Sequence, residues 1–195
     1  MKSADLLNTV EEKGIHIFTV NDAVRLSDKK RAYVWLMLSR LVSNGTLLRA
    51  ERGIYYTPRA DRMEVASNIV QPSYVSLMYA LNYYGVTTQI PTIVDVVSSK
   101  RHRPITLNDV RIRFRTLKSR KMFGFHREGN ANIADLEKAF VDALYFKSPE
   151  SGEISEALES AIRSKRVDIK RMEDYAKAMG SMALLKRMRA LLSDI

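Results

Sequence analysis

Basic side chains cluster at two places in this chain, and phosphate binding is the chemistry that their spacing suggests. The first cluster is the run Lys29-Lys30-Arg31, which is followed by Tyr33 and Arg40. The second lies between residues 100 and 127, where ten Lys or Arg accompany a single acid. Guanidinium and ammonium groups at this density bind phosphate oxygens or acidic protein surfaces. Because the formal net charge is +10, the whole chain is expected to attract polyanions.

The residues needed for other chemistries are absent or scattered. The sequence contains no cysteine, which excludes disulfides and thiolate metal sites. His16, His102 and His126 lie far apart and lack the spacing of metal ligands. There is no glycine-rich phosphate loop, zinc-protease motif or serine-hydrolase motif. The sequence therefore predicts a protein that is not an enzyme and has no cofactor and no metal.

Hydropathy points to a soluble, cytoplasmic protein. Hydrophobic residues make up 46% of the chain, which is enough for a packed core. No apolar run approaches the roughly 20 residues that a membrane span needs. The first residues, MKSADLLNTVEEKG, lack the apolar segment of a signal peptide. We therefore expect no membrane partner.

Residues 1–60 are predicted to form a winged helix-turn-helix, and this motif would position the first basic cluster. Two short helices come first, and Thr19 or Asn21 can cap the second of them. Ser27 and Asp28 are expected to form the turn and to cap a longer third helix. In helix-turn-helix docking, the first turns of the second motif helix reach base edges in the DNA major groove.

The third helix has two distinct faces. Its apolar face recurs at helical spacing through Val34, Met37, Leu38 and Leu41. The opposite face is mainly polar, with Leu36 among its residues, and Gly45 is placed to end the helix in a left-handed conformation. Two short strands, 46–49 and 54–57, would follow as the wing. The residues predicted to contact DNA are Ser27, Lys29, Lys30, Arg31, Tyr33, Arg40, Arg49 and Arg52.

The remaining residues, 61–195, are predicted to form a mixed α/β domain, so the fold class of the whole chain is α+β. A mixed core would cover 61–148, and a helical tail would cover 149–195. Helices are expected at 63–69, 74–84, 133–146, 154–163, 169–179 and 182–192, and strands at 93–97, 111–115 and 122–126. Asp135 is expected to cap a helix.

The strand at 111–115 alternates arginine with apolar residues, which places three guanidiniums on one face of a sheet. Together with the loop before it, this strand is predicted to form a surface for a partner protein or a nucleic acid. Its residues are Lys100, Arg101, Arg103, Arg111, Arg113 and Arg115. A solvent-facing strand that is merely rich in arginine remains the alternative. For RNA, stacking aromatics would be needed, and Phe123 and Phe125 are more typical of a core.

Several short motifs occur in a fixed order after the wing. The segment Gly53-Ile54-Tyr55-Tyr56-Thr57-Pro58 ends the first region. Ala80-Leu81 with Tyr84-Gly85, then Gln89-Ile90-Pro91, and then Ile133-Ala134-Asp135-Leu136-Glu137-Lys138-Ala139 follow. In this order the chain resembles the AbiEi-type antitoxins of type IV toxin–antitoxin systems. The resemblance covers roughly residues 14–147.

The resemblance implies an antitoxin that represses its own operon. It implies a winged helix that binds double-stranded operator repeats, and a second domain that opposes a nucleotidyltransferase-like toxin encoded nearby. A homodimer is a further expectation, because paired half-sites match a two-fold axis in helix-turn-helix repressors. The alternative is a protein-interaction or RNA-binding module that uses residues 100–127, with the winged helix as a platform.

Overall fold

The chain folds into two compact units, Met1–Ile69 and Val70–Ile195. A computed structural model describes residues 3–107, 110–148, 151–193 and 195. Both units combine helices with a β-sheet, so the fold class is α+β, as the sequence indicated. The sequence placed the division near residue 60, whereas the first compact unit continues to Ile69 and includes one more helix.

The first unit places three helices and a small sheet before its final helix. Its sheet has the order β1-β3-β2, and both strand pairs are antiparallel. The sequence predicted only an apolar connector where β1 lies, because three residues are too few to show a period. The elements are α1 (Ser3–Glu12), β1 (Ile17–Thr19), α2 (Val20–Ser27), α3 (Arg31–Ser43), β2 (Leu48–Glu51), β3 (Ile54–Tyr56) and α4 (Arg62–Ile69).

The core of the first unit lies between the helices and the sheet. The predicted apolar stripe of α3 is buried, with Val34, Met37, Leu38 and Leu41 each at most 6% exposed. The ring of Tyr55 on β3 meets Phe18 in a stacked contact and Trp35 edge-on, both with centroids 6.4 Å apart. Burying a leucine or valine side chain stabilises a fold by roughly 1.5–3 kcal/mol. This core therefore holds α3 with its opposite face outward.

Helix α4 is tied to the first unit by polar contacts. Asp61 Oδ1 accepts a hydrogen bond from the backbone amide of Glu64, 2.7 Å away, at the start of the helix. The buried Glu64 carboxylate lies 2.9 Å from Nδ1 of His16. The sequence assigned this helix to the second region, since nothing local links residues 48 positions apart.

The second unit is built on a six-stranded mixed sheet of order β6-β7-β5-β4-β9-β8. The pairs β5–β7 and β4–β9 are parallel, and the other neighbours are antiparallel. Its strands are β4 (Ser73–Ser76), β5 (Ile93–Ser98), β6 (Ile105–Leu107), β7 (Val110–Thr116), β8 (Phe125–Glu128) and β9 (Ala131–Ala134). Its helices are α5 (Leu77–Tyr83), α6 (Leu136–Phe146), α7 (Ser151–Arg163), α8 (Ile169–Ala178) and α9 (Met182–Ser193), with a short 3₁₀ turn at Ser119–Lys121.

Two predicted helices were wrong at their first turns. The helix expected at 74–84 begins as strand β4 and becomes α5 only at Leu77, where the backbone turns with φ of +55°. The helix expected at 133–146 begins as β9 and becomes helical after Asp135. Both strands have a sheet neighbour on each side, and short central strands carry no polar alternation that would distinguish them from a buried helix. The three helices of the tail are present as predicted.

Candidate nucleic-acid interface

The turn between α2 and α3 presents two lysines to solvent. Asp28 adopts a left-handed conformation, with φ of 51° and ψ of 38°, and its amide donates to the carbonyl of Val24 to close α2. Lys29 and Lys30 follow, both exposed. Lys30 is the N-cap of α3, where no side chain caps the helix. The prediction that Ser27 and Asp28 cap α3 was wrong, because both residues belong to the end of α2.

Ser27 does not reach the surface. Ser27 is 4% exposed, and its hydroxyl donates a hydrogen bond to the carbonyl of Val24 at 3.5 Å. The sequence grouped it with the exposed basic run because it is the last residue before that run. Ser27 lies on the same face of α2 as the buried Val20 and Ala23, so it faces inward and leaves the predicted DNA-contact set.

The outward face of α3 carries the other predicted residues. Arg31, Tyr33 and Arg40 are exposed, and so is Leu36. The helix contains no acidic residue. Helix positions three and four apart share a face, so Tyr33 and Leu36 are neighbours, as are Leu36 and Arg40. The face is therefore cationic at both ends and apolar at its middle.

Arg31 and Arg52 line the same concavity, which brings the start of α3 and the β2–β3 turn together. The concavity has a volume of about 440 Å³, and its other lining residues are Thr19, Val20, Asn21, Trp35 and Gly53. Nη1 of Arg31 donates to Oδ1 of Asn21 at 2.6 Å, which orients the guanidinium. Sequence reasoning missed Asn21 and Trp35 here, because their side chains carry no charge pattern. Two arginines that line one concavity make it a suitable site for a phosphate.

The β2–β3 hairpin positions the other two predicted arginines. Arg49 is exposed on β2 opposite Tyr55, and Arg52 lies in the turn next to Gly53. Gly53 has φ of +87°, which other residues rarely adopt, so the tight turn depends on a glycine. The ladder shifts register between Arg49 and Glu51, and such bulges increase the twist of a strand.

The start of α2 is closed by a reciprocal cap. The Thr19 hydroxyl accepts from the amide of Asp22 at 3.2 Å, and the Asp22 carboxylate accepts from the Thr19 amide at 2.8 Å. Burial alone would raise the pKa of Asp22, but the hydrogen bonds from Thr19 and Arg25 outweigh it, and the pKa lies below 3.8. Of the two caps that the sequence offered for this helix, Thr19 and Asn21, the structure has Thr19.

The second basic surface is smaller than the sequence suggested. Lys100, Arg101, Arg103 and Arg111 are exposed. Within the described part of the chain, no carboxylate forms an ion pair with any of these four. His102 packs instead on Phe114, with ring centroids 4.5 Å apart.

Arg113 and Arg115 are engaged inside the sheet by Asp95. Nε and Nη2 of Arg113 donate to the two carboxylate oxygens of Asp95 at 2.6 and 2.8 Å, and Nε of Arg115 donates at 3.1 Å. Hydrogen bonding to this carboxylate raises the pKa of Arg113. The expectation of three free guanidiniums therefore needs correction, because the neighbouring strand β5 supplies an acid that is 18 residues away in sequence.

A buried polar cluster lies in the second unit, around α6. Nζ of Lys138 forms an ion pair with Asp142, and both side chains are fully buried. The Asp142 carboxylate also accepts from the hydroxyls of Tyr74 at 3.0 Å and Ser76 at 2.9 Å. Burial lowers the pKa of Lys138 and raises the pKa of Asp142, and their attraction opposes both shifts. The cluster is enclosed by protein, so it has the character of a core network.

Asp135 begins α6 but does not cap it with its side chain. Its carboxylate lies 2.9 Å from Nδ1 of His126 and accepts from the hydroxyl of Tyr175 at 2.9 Å. The expectation of an ordinary cap was therefore wrong in its contacts, since the carboxylate joins two other elements. Phe123 packs edge-on against Tyr175 and Phe125 stacks on Tyr74, so both rings are engaged within the fold.

The described residues hold no group of three or more His, Asp or Glu side chains placed to bind a metal ion. Among those same residues, no helix is both long enough and apolar enough to cross a bilayer.

The N-terminal part of the chain matches a known protein family. Residues 5–58 match the model of a family described as "Transcriptional regulator, AbiEi antitoxin". The matched segment extends from the first turn of α1 to just beyond β3, and the second unit lies outside it. No curated protein matches the chain.

Proposed function

We propose that this chain is a DNA-binding transcriptional regulator of the antitoxin type, and that its first unit is a winged helix-turn-helix. The element order α1-β1-α2-α3-β2-β3 and the sheet order β1-β3-β2 support this reading. In it, α3 is the recognition helix and the β2–β3 hairpin is the wing. The match of the same residues to a family of transcriptional regulators is independent support.

The observation that carries the proposal is the placement of cations around the start of α3. The turn supplies Lys29 and Lys30, the helix supplies Arg31, and the wing supplies Arg52 to the concavity that Arg31 also lines. A cation at a helix N-terminus is unfavourable by itself, because the helix dipole is positive there. A DNA phosphate against this turn would remove that cost and would fix α3 in the major groove.

The experiment is a salt titration of binding to the DNA upstream of the chain's own gene, followed by fluorescence anisotropy. For the wild type, the logarithm of the binding constant should fall linearly with the logarithm of salt concentration. Lys29→Ala and Arg52→Ala should each reduce the magnitude of that slope by about 0.9, the value for one lost phosphate contact. Lys13→Ala is the matched control, since Lys13 is an exposed lysine outside α3 and the wing.

An unchanged slope and affinity in both variants would show that this face does not bind DNA. If all three variants lose the same slope, the binding depends on net charge alone and the proposed face is wrong.

A homodimer on operator repeats is part of the proposal, and sedimentation of the chain with a two-site duplex tests it. Half-sites should then be separated by about 34–36 Å or a multiple of that length.

A second role is proposed for the exposed basic surface of the second unit, namely docking of an acidic partner such as a cognate nucleotidyltransferase-like toxin. The favouring observation is that Lys100, Arg101, Arg103 and Arg111 remain exposed while Arg113 and Arg115 are engaged by Asp95. No catalytic role is part of this proposal.

Co-purification with the product of the adjacent gene tests the docking role. Reversing the charge at Arg101, Arg103 and Arg111 should abolish the complex while leaving DNA binding by the first unit unchanged. Lys170→Glu with Lys186→Glu is the control, since both lysines are exposed on α8 and α9. If the reversed variant still binds the partner normally, or binds RNA instead, this second role is wrong.

A further inference from the structure

The middle of the outward face of α3 is apolar. Leu36 is 52% exposed and Tyr33 is 47% exposed, and both lie on the face of α3 opposite its buried stripe. Ala32, one turn before Leu36, is exposed as well. Because α3 has no acidic residue, the neighbours of this apolar centre along the helix are cationic or neutral.

Leu36 contributes to a shallow groove along α3. The groove has a volume of about 280 Å³ and is lined by Tyr33, Leu36, Met37, Arg40, Leu41 and Asn44. The apolar side chains of Leu36, Met37 and Leu41 contribute to its lining together with Arg40. An apolar group can pack against Leu36 there, and Arg40 in the same lining favours a group that is carried by a polyanion.

In the major groove, one base-edge group meets that description. The edges of the bases present hydrogen-bond donors and acceptors, together with a single apolar group, the C5-methyl of thymine. Leucine can neither donate nor accept a hydrogen bond, so it can distinguish base pairs only through that methyl. Tyr33 and Arg40, on either side of Leu36, are suited to hold the phosphates that flank the base.

We propose that Leu36 is a specificity-determining residue that reads a pyrimidine C5-methyl group in the operator, with Ala32 giving a second, smaller apolar contact. This inference rests on the proposed docking of α3 in the major groove. The charge of the surroundings selects DNA over an apolar protein partner, because Lys29, Lys30 and Arg31 precede the apolar centre and Arg40 follows it. In unmodified DNA the methyl belongs to thymine, and 5-methylcytosine presents the same group.

The test uses the full chain and a duplex selected from a random pool by the wild-type protein. Each thymine of the duplex is replaced in turn by uracil, which differs only in lacking the C5-methyl. At one or two positions the affinity of the wild type should fall by about fourfold, the effect expected for one methyl group left in water. Replacing that T·A pair by C·G should weaken binding, and 5-methylcytosine should recover the methyl-dependent share.

The variant Leu36→Ala should bind the thymine and uracil duplexes equally at that position. Ser39→Ala, a substitution on the exposed side of the same helix, should keep the wild-type sensitivity. Circular dichroism and binding to a scrambled duplex show whether Leu36→Ala folds and retains its non-specific affinity.

Four outcomes would overturn the inference. If no uracil substitution affects the wild type, or if Leu36→Ala remains as sensitive as the wild type, Leu36 reads no methyl, although the protein still binds DNA specifically. If Leu36→Ala instead loses a protein complex while its DNA affinity is unchanged, the apolar centre is a protein-docking site. If the wild type enriches no sequence and shows no salt-dependent binding, the proposed function itself fails.

Discussion

Arg113 and Asp95 lie on adjacent parallel strands, β7 and β5, and their side chains are joined by two hydrogen bonds of 2.6 and 2.8 Å. Arg115 adds a third contact to the same carboxylate at 3.1 Å. Two positive charges thus share one buried negative charge within the sheet. Two of the three arginines that the sequence predicted to form a binding surface, Arg113 and Arg115, thus join strand β7 to strand β5.

The variant Asp95→Asn should lower the free energy of unfolding of the second unit by about 2–3 kcal/mol. Removing one partner of a buried ion pair leaves the other charge without compensation, and the partial exposure of both arginines reduces the loss below that of a fully buried pair. Chemical denaturation followed by circular dichroism measures this change in the free energy of unfolding. Asp174→Asn is the control, because Asp174 is exposed and pairs with the exposed Lys177, so its loss should stay below about 0.5 kcal/mol.

The Lys138–Asp142 pair is expected to behave as a unit. Lys138→Met alone should cost about 3–5 kcal/mol, since the Asp142 carboxylate would remain in the core without its cation. Adding Asp142→Asn should recover part of that loss, because the amide is neutral and its oxygen can still accept from Tyr74 and Ser76. A double-mutant cycle in urea gives the coupling energy. Strictly additive losses would contradict this account.

The reciprocal cap at the start of α2 should stabilise the first unit by about 1 kcal/mol. Thr19→Ala removes the hydroxyl that accepts from the Asp22 amide, and that amide would then lack its partner within the cap. Thermal unfolding of the first unit should shift downward accordingly. Thr9→Ala serves as the control, because the Thr9 hydroxyl only donates to a carbonyl within α1 and its loss should be within about 0.5 kcal/mol.

The same cap makes stability depend on pH through Asp22. Its pKa in the folded chain lies below 3.8, so the ionised form is favoured by folding. Its contribution is fully present above the unfolded value and is lost as the pH falls through the folded value. Wild type and Asp22→Asn should therefore differ in melting temperature at pH 7 and converge as the pH falls below about 4. A difference that stays constant from pH 7 to pH 3 would show that the charge of Asp22 contributes nothing.

Local patterns explain what the sequence could predict. The buried stripe of α3, the Thr19 cap and the left-handed Gly45 all follow from residues within seven positions of one another. The three tail helices follow from the same helical period. The exposure of the basic run Lys29–Arg31 also has a local cause, because the run lies in and next to the turn between α2 and α3.

Strand pairing and side-chain partners required the tertiary structure. Strands β4 and β9 pair across 58 residues, Val75 with Ile133, and neither shows a pattern of its own. Ser27 and Asp28 are adjacent, yet one is buried and the other exposed, because Ser27 lies on the face of α2 that packs into the core.

The sequence by itself determined the helices of the first unit, the cationic turn before α3 and the α+β class, because helical periods and capping residues act over one or two turns. Only the tertiary structure decided which arginines are available to bind a partner. Asp95 engages Arg113 and Arg115, while Arg31 and Arg52 meet at one concavity from 21 positions apart. The reason is physical: an ion pair or a shared concavity depends on distance in space, and the fold alone sets that distance.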